Sequence, residues 1–174
     1  WTLDKAYTGA TLIGHDKILL YGHQLNEAYL YELSSGKIIT AIKTELGTTN
    51  AFYDHEHKMM FMTNSKTNTV KSFDEHGKLL NETLIGNYPM SMASYGNYIY
   101  IINYKDTELS VLNIEDLQVV DNWEIDRSSN GIIILPERNE LWVGGHGEGE
   151  HANQTVDILS LKTGEKQREL TTSI

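Results

Sequence analysis

The residues best suited to chemistry lie in one glycine-rich stretch, GGHGEGEH, at residues 144–151. His146, Glu148 and His151 offer imidazole nitrogen and carboxylate oxygen, which are proper ligands for Zn²⁺ or Mn²⁺. Against a metal site, no helix fixes the spacing of the two histidines, and a flexible segment loses entropy when it is ordered. Three interpretations stay open: a physiological divalent-metal site at these residues, an adventitious weak metal site, or a plain polar loop without a cofactor.

The composition is typical of a globular chain that is long enough to bury a hydrophobic core. The chain has 174 residues, of which 40% are hydrophobic and 22% are charged, and it contains no cysteine. The formal net charge of −10 disfavours nucleic acid and anionic lipid surfaces as partners. No apolar run is long enough to span a bilayer. The absence of cysteine excludes disulfides, thiolate zinc sites and cysteine nucleophiles.

A repeat of about 40 residues organises the whole chain. Its clearest element is an apolar run that recurs at intervals of 39 to 42 residues: KILLYGH from Lys17, KMMFMTN from Lys58, NYIYIIN from Asn97 and NELWVGG from Asn139. One strand pattern precedes each run and two follow it, separated by polar turns. The pattern predicts an all-β chain and favours a β-propeller of four-stranded antiparallel blades over a β-sandwich.

The predicted blades cover residues 8–44, 48–85, 89–126 and 130–174 of a single propeller domain or arc, 1–174. The turn between the third and fourth strands holds Gly36, Gly77 and Gly164 in three repeats, which indicates a backbone position with positive φ. The third repeat has Leu117 there, so its turn is predicted to differ.

The second repeat, FMTNSKTNTVKSFDEHGK, resembles the YVTN repeat, which runs Tyr-Val-Thr-Asn, a polar loop, Val-x-Val-Ile-Asp and Thr-Gly-Lys. Met62, Thr63 and Asn64 match the Val-Thr-Asn part, with Phe61 in place of Tyr; the later matches are Val70, Phe73, Asp74, Gly77 and Lys78. The third repeat also resembles the YVTN pattern, with Tyr88-Pro89 at its start. The first and fourth repeats match the pattern less closely. The resemblance implies a seven-bladed propeller, often exported or envelope-associated in prokaryotes, and specifies the scaffold more strongly than the activity.

Four blades are fewer than such a ring requires, and an open blade would expose strand edges and apolar faces. The preferred interpretation is an arc of a larger ring of about seven blades. A closed four-bladed ring and a homodimer of two arcs that completes eight blades are the alternatives. Residues 1–7 could then be the outer strand of a preceding blade. Because the chain opens with Trp1 and shows no signal peptide, we expect a processed or excised piece.

Strand alternation brings the loops between second and third strands, and those between blades, to one end of the blades. The resemblance implies that ligand sites collect there. The predicted ligand-binding residues are His23, Asn64, Lys66, Tyr88, Asn103, Lys105, Arg127 and Asn130. Arg127 could clamp a carboxylate or phosphate through two hydrogen bonds, or form a surface salt bridge with Asp126 or Glu124.

The loop after residue 144 is about five residues longer than its counterpart in the third repeat, and loops are where function is commonly placed. A second polar cluster, DHEH at residues 54–57, lies at the opposite end and is interpreted as a hairpin turn.

No nucleophile elbow, phosphate loop or dinucleotide fingerprint is present. The sequence therefore favours a non-catalytic scaffold, extracellular or in the cell envelope, that binds a protein, peptide or glycan, with a cytoplasmic location left open. The rival is a lactonase-like hydrolase with His146, Glu148, His151 and Arg127 at its channel, because the resemblance includes lactonases.

Overall fold

The computed structural model describes residues 2–147 and 154–171. The chain divides after Leu84 into two compact units, and each unit contains two four-stranded sheets. Within every sheet the strands follow one another in chain order and pair antiparallel. Short runs of Ile, Leu, Val, Tyr and Met separated by polar turns favour such strands, because branched and aromatic side chains pack well on a pleated surface.

The first unit holds sheet 1 and sheet 2. Sheet 1 is made of β1 (Gly9–Ile13), β2 (Lys17–Tyr21), β3 (Glu27–Glu32) and β4 (Lys37–Lys43). Sheet 2 is made of β5 (Thr48–Asp54), β6 (Met59–Asn64), β7 (Thr69–Asp74) and β8 (Leu79–Leu84). Leu19 and Leu30 of sheet 1 and Met60 and Phe73 of sheet 2 belong to one buried core.

The second unit holds sheet 3 and sheet 4. Sheet 3 is made of β9 (Pro89–Tyr95), β10 (Tyr98–Asn103), β11 (Glu108–Asn113) and β12 (Val119–Glu124). Sheet 4 is made of β13 (Gly131–Leu135), β14 (Glu140–Gly144), β15 (Thr155–Ser160) and β16 (Lys166–Thr171), with a 3₁₀ turn at Pro136–Arg138 between the first two. Tyr100, Val111, Leu141 and Leu159 belong to the core that the two sheets share.

The predicted strand order within each repeat is confirmed. The connections between first and second strands and between third and fourth strands lie at one end of each sheet, which we call the turn end. The connections between second and third strands, and those between the two sheets of one unit, lie at the other end, which we call the loop end. This division follows from antiparallel pairing in chain order and decides which side chains can meet.

The fourth strand of every sheet carries one extra residue at an equivalent position. The pairing of third and fourth strands shifts register after Leu30, Ser72, Val111 and Ile158. The extra residues are Ile39, Leu80, Val120 and Gln167. Each is a β-bulge, which bends the strand that contains it and increases its twist.

The turn at Leu117 matches those at Gly36 and Gly164, so the prediction that the third repeat has a different turn is wrong. Leu117 has φ +57° and Gly36 has φ +67°. Leu117 N donates to Asn113 O, as Gly36 N does to Glu32 O, both across four residues. The leucine side chain is fully buried, and that burial offsets the steric cost of the left-handed conformation.

Residues 2–8 form no strand, and their placement as the outer strand of a preceding blade stays a prediction. Tyr7 instead packs edge-on against Tyr29 and Tyr31 of sheet 1, with ring centroids 6.1 and 6.4 Å away. These tyrosines belong, with Leu20, to a small buried cluster on sheet 1 that is separate from the shared core. The segment therefore covers apolar surface of sheet 1.

Candidate functional site

At the loop end of the first unit, the Asn64 side chain links two loops through hydrogen bonds. Its side chain is 5% exposed. Nδ2 donates to the carbonyls of Glu45 and Leu46, both at 3.2 Å, and Oδ1 accepts from the backbone N–H groups of Lys66 and Thr67 at 2.9 and 3.1 Å. Both amide hydrogens and both lone pairs are used. Asn64 thus shapes the surface rather than offering a free group to a ligand.

The other two predicted residues of this unit surround the same loops. His23 Nε2 lies 3.2 Å from Ser65 Oγ, and His23 O accepts a hydrogen bond from Gly47 N. Lys66 is exposed, and no described residue forms an ion pair with it. The ammonium of Lys66 is therefore the most available polar group among the three.

At the loop end of the second unit, aromatic rings form a row. The ring of Tyr88 lies 6.0 Å from that of Tyr104, and Tyr104 lies 6.2 Å from the His146 imidazole. Lys105 Nζ sits 4.9 Å from the centre of the Tyr88 ring, within cation–π range. Tyr104 Oη donates to Gly147 O at 3.1 Å, which anchors the start of the long loop. Sequence reasoning named Tyr88, Lys105 and His146 but missed Tyr104, which lies between them.

Arg127 and Lys105 line a shallow concavity of about 420 Å³ together with Asp106, Thr107 and Glu108. Asp106 is occupied, because its carboxylate accepts from Asn87 N and Asn87 Nδ2 at 2.6 and 2.8 Å. Within the part of the chain that the structure describes, no carboxylate forms an ion pair with Arg127 or Lys105. The surface salt bridge expected as one alternative for Arg127 is thus not seen with Asp126 or Glu124.

The two predicted asparagines of the second unit form hydrogen bonds within the protein. Asn103 is fully buried; its Nδ2 donates to Ser110 Oγ at 2.9 Å, and its Oδ1 has no described partner. Asn130 N donates to Gly144 O, and Asn130 O accepts from Ser91 Oγ. Neither side chain lines the concavity beside Arg127.

The predicted metal ligands are described only in part. His146 is exposed and lies beside Tyr104. Glu148 and His151 lie outside the described residues, so the metal site stays a prediction. The DHEH cluster closes a hairpin: Asp54 Oδ1 accepts from His57 N and lies 2.9 Å from His57 Nδ1. This arrangement fits the turn interpretation.

Sequence reasoning missed a carboxylate cluster at the loop end of sheet 4. Asp126, Asp157 and Glu169 each bring an oxygen within 4.8 Å of the others. Lys166 Nζ occupies the centre, 2.9 Å from the buried Asp157 and 3.6 Å from each of the other two carboxylates. In sheet 2 the equivalent positions are Glu45, Lys71 and Glu82, joined by ion pairs of 3.0 and 3.4 Å. Comparing the repeats in register would have revealed this pattern.

We expect Lys166→Met to lower the free energy of unfolding by about 2 kcal/mol, because Asp157 would lose its counter-ion. The loss is smaller than for a fully buried pair, because the lysine side chain is 38% exposed and water screens its charge. Hydrogen bonding to Asp157 raises the Lys166 pKa above its usual 10.5. The stabilisation is therefore complete below pH 10.5 and disappears only at higher pH, so calorimetry at pH 7 measures all of it. Lys162→Met, in the adjacent turn, is the control and should change little; equal losses would contradict the ion-pair argument.

The Glu140 carboxyl group accepts hydrogen bonds from three side chains and has a structural role. Glu140 is mostly buried and accepts from Trp142 Nε1 at 2.8 Å, from Arg138 Nε at 3.0 Å and from Arg168 Nη2 at 2.7 Å. The Trp142 hydrogen bond and the two guanidinium groups hold the pKa of Glu140 below its usual range. A general acid needs the opposite shift. Glu140 therefore anchors sheet 4 and does not fit a catalytic acid.

The chain is similar to known proteins in structure but not in sequence. No family model matches the chain, and no curated protein matches its sequence. Among solved structures, hydrazine synthase of Kuenenia stuttgartiensis matches with TM-score 0.80 at 12% identity, over 90% of this chain and 46% of that one. The dihydro-heme d1 dehydrogenase NirN, in complex with DHE, matches with TM-score 0.75 at 12% identity, over 94% and 37%. The WD40 β-propeller domain of Doa1 matches with TM-score 0.73 at 12% identity, over 95% and 53%.

The chain has a β-propeller fold. Each four-stranded sheet is one propeller blade, and the alternative β-sandwich is wrong. The chain spans about half or less of the length of these propeller-containing structures. The size of the propeller ring and membership of the YVTN family remain predictions. No described helix of this propeller is long and apolar enough to cross a bilayer.

Proposed function

We propose that this propeller is a non-catalytic binding module of the cell exterior or envelope that recognises carboxylate groups of a protein, peptide or glycan at the loop end of its second unit. One observation carries the proposal: Arg127 and Lys105 border the same concavity and have no ion-pair partner among the described residues. The location rests on the YVTN resemblance alone.

The chemistry of the concavity supports a carboxylate ligand. Arginine presents a planar fork of N–H donors that matches a carboxylate with two parallel hydrogen bonds. Lys105 is held over the Tyr88 ring, so its ammonium is positioned before a ligand arrives and less entropy is lost on binding. Arg127 and Lys105 form no ion pair with Asp106 or Glu108, the carboxylates that line the same concavity, so their positive charges stay available to a ligand. They also favour an acidic ligand over a basic one.

The proposal is tested with two probe sets at low salt: peptides rich in Asp and Glu, and oligosaccharides that contain uronic acids. Arg127→Ala is expected to weaken binding about tenfold or more, since hydrogen bonds between charged groups contribute ~1.5–3 kcal/mol. Arg127→Lys should keep part of the affinity because it retains the charge and loses the fork. Lys66→Ala, an exposed lysine of the first unit, is the matched control.

Two results would overturn the proposal: no binding to either probe set at 50 mM salt, or binding that the double change of Arg127 and Lys105 to alanine leaves intact. Elemental analysis of protein purified without chelator or a histidine tag addresses the hydrolase alternative. Stoichiometric metal that disappears in His146→Ala would favour a hydrolase over the binding module.

A further inference from the structure

A larger cavity lies at the turn end of the second unit, opposite the predicted ligand-binding loops. Its volume is about 770 Å³, and it opens between sheet 3 and sheet 4. Tyr95 and Tyr98 stand directly opposite each other in the β9–β10 hairpin and are 48% and 43% exposed. Aromatic rings that remain so exposed beside a cavity offer flat apolar surface to a ligand.

The ring of a buried tyrosine forms part of the cavity wall. Tyr100 is only 2% exposed and lines the cavity, and no described residue forms a hydrogen bond with its hydroxyl. Its ring lies 5.2 Å from the Trp123 indole, and Trp123 Nε1 donates to Asp121 Oδ2 at 2.9 Å. Burial raises the pKa of Tyr100 to about 12, so the hydroxyl stays neutral and can both donate and accept. The hydroxyl opens onto the cavity, where a ligand group can pair with it.

The equivalent position in the first unit contains no comparable cavity. The cavity there measures about 230 Å³ and is lined by Tyr53. The strand registers place Tyr53 in β5 opposite Met60 and Ile134 in β13 opposite Leu141, at matching positions. Tyr53 lines the first cavity, whereas Ile134 is not among the residues that line the second one. The registers also place Ile42 and Thr40 where the second unit has Trp123 and Asp121. Cavity size therefore depends on particular side chains and is not a general property of adjacent sheets.

We propose that the cavity between sheets 3 and 4, lined by Tyr95, Tyr98, Tyr100, Trp123 and Asp121, binds a neutral saccharide. The C–H face of a pyranose ring packs on aromatic rings such as those of Tyr95 and Tyr98. Sugar hydroxyl groups donate and accept at once, so one of them can satisfy the Tyr100 hydroxyl and another a lone pair of Asp121. Asn97 and Asn139 add amide groups at the rim.

The charge of the lining disfavours ionic ligands. The carboxylate of Asp121 and the ammonium of Lys162 are the charged groups among the lining residues, and they cancel formally. A proline-rich peptide also binds aromatic grooves, but it offers mainly carbonyl acceptors. The acceptors of Asp121 and of the two asparagines are exposed to solvent, and such a peptide offers them few donors. A saccharide offers them hydroxyl donors instead.

The test uses an array of neutral oligosaccharides of glucose, galactose, mannose and N-acetylglucosamine, followed by calorimetry on the best binder. We expect Tyr98→Ala to weaken binding about tenfold through lost stacking. Tyr100→Phe, which keeps the ring and removes only the hydroxyl, should weaken it about fivefold or more.

Tyr53→Phe in the first unit and Arg127→Ala at the loop end are the controls, and neither should alter saccharide affinity. Circular dichroism and the melting temperature of each variant report folding, so a loss of affinity in a folded variant is interpretable. The proposal is overturned if no neutral oligosaccharide binds at millimolar concentration, if a proline-rich peptide binds instead, or if folded Tyr98→Ala and Tyr100→Phe bind as the unchanged chain does. Because the loop end is tested with acidic probes, failure at one site leaves the other unaffected.

Discussion

Replacing Asn64 with alanine is expected to lower the free energy of unfolding by about 3 kcal/mol, and the melting temperature by about 9 °C. The amide of Asn64 makes four hydrogen bonds to backbone groups, two to carbonyls before β5 and two from N–H groups after β6. Alanine leaves these backbone groups without the partner that the buried Asn64 side chain provides. Differential scanning calorimetry measures the loss directly.

Asn103 provides the matched control, because it occupies the equivalent position in β10 and is also buried. It makes one side-chain hydrogen bond, to Ser110, and its Oδ1 has no described partner. Asn103→Ala should therefore cost about 1 kcal/mol while leaving a cavity of similar size. Equal losses for the two substitutions would show that cavity formation, and not hydrogen bonding, accounts for the effect.

Gly164→Ala is expected to destabilise the chain by about 3 kcal/mol, from two separate costs. Gly164 has φ +73°, which disfavours any residue with a Cβ atom. A Cβ atom at this position would also overlap the indole ring of Trp123. Because Trp123 is itself buried against Tyr100, the ring cannot move away without disturbing the core of the second unit.

Gly14→Ala separates the two costs. Gly14 has φ +68°, but a Cβ atom there would meet no other atom within 4 Å. Its substitution should cost only the conformational part, about 1 kcal/mol. Thermal unfolding of both variants, followed by circular dichroism, gives the difference. If Gly14→Ala is as damaging as Gly164→Ala, contact with Trp123 is not important.

The architecture could be predicted because one pattern occurs four times. Apolar runs such as MMFMTN and YIYIIN coincide with β6 and β10, and polar turns separate them from their neighbours. A strand needs only local alternation of side chains and a turn at each end, and both are visible in sequence. The same repetition locates the loops, and so predicts that Arg127 and Lys105 lie at one end of the blades.

Other features could not be predicted, because they depend on tertiary packing. The turn at Leu117 was expected to differ, since sequence shows the missing glycine but does not show that leucine burial offsets the strain. The cavity beside Tyr100 is lined by residues of sheets 3 and 4, so it exists only when the two sheets pack together. Lys166 forms ion pairs with a cluster of carboxylates that come from three separate segments of the chain.

The extra residue in every fourth strand has a consequence for self-association. β4, β8, β12 and β16 each lie at the edge of a sheet, and three of them expose Ile39, Leu80 or Val120 at the bend. A straight ribbon with such apolar residues would be a template for fibril growth. The kink interrupts the row of backbone groups that an incoming chain would have to match. These edge strands can thus expose apolar side chains to water without pairing with further copies of the chain in a cross-β stack.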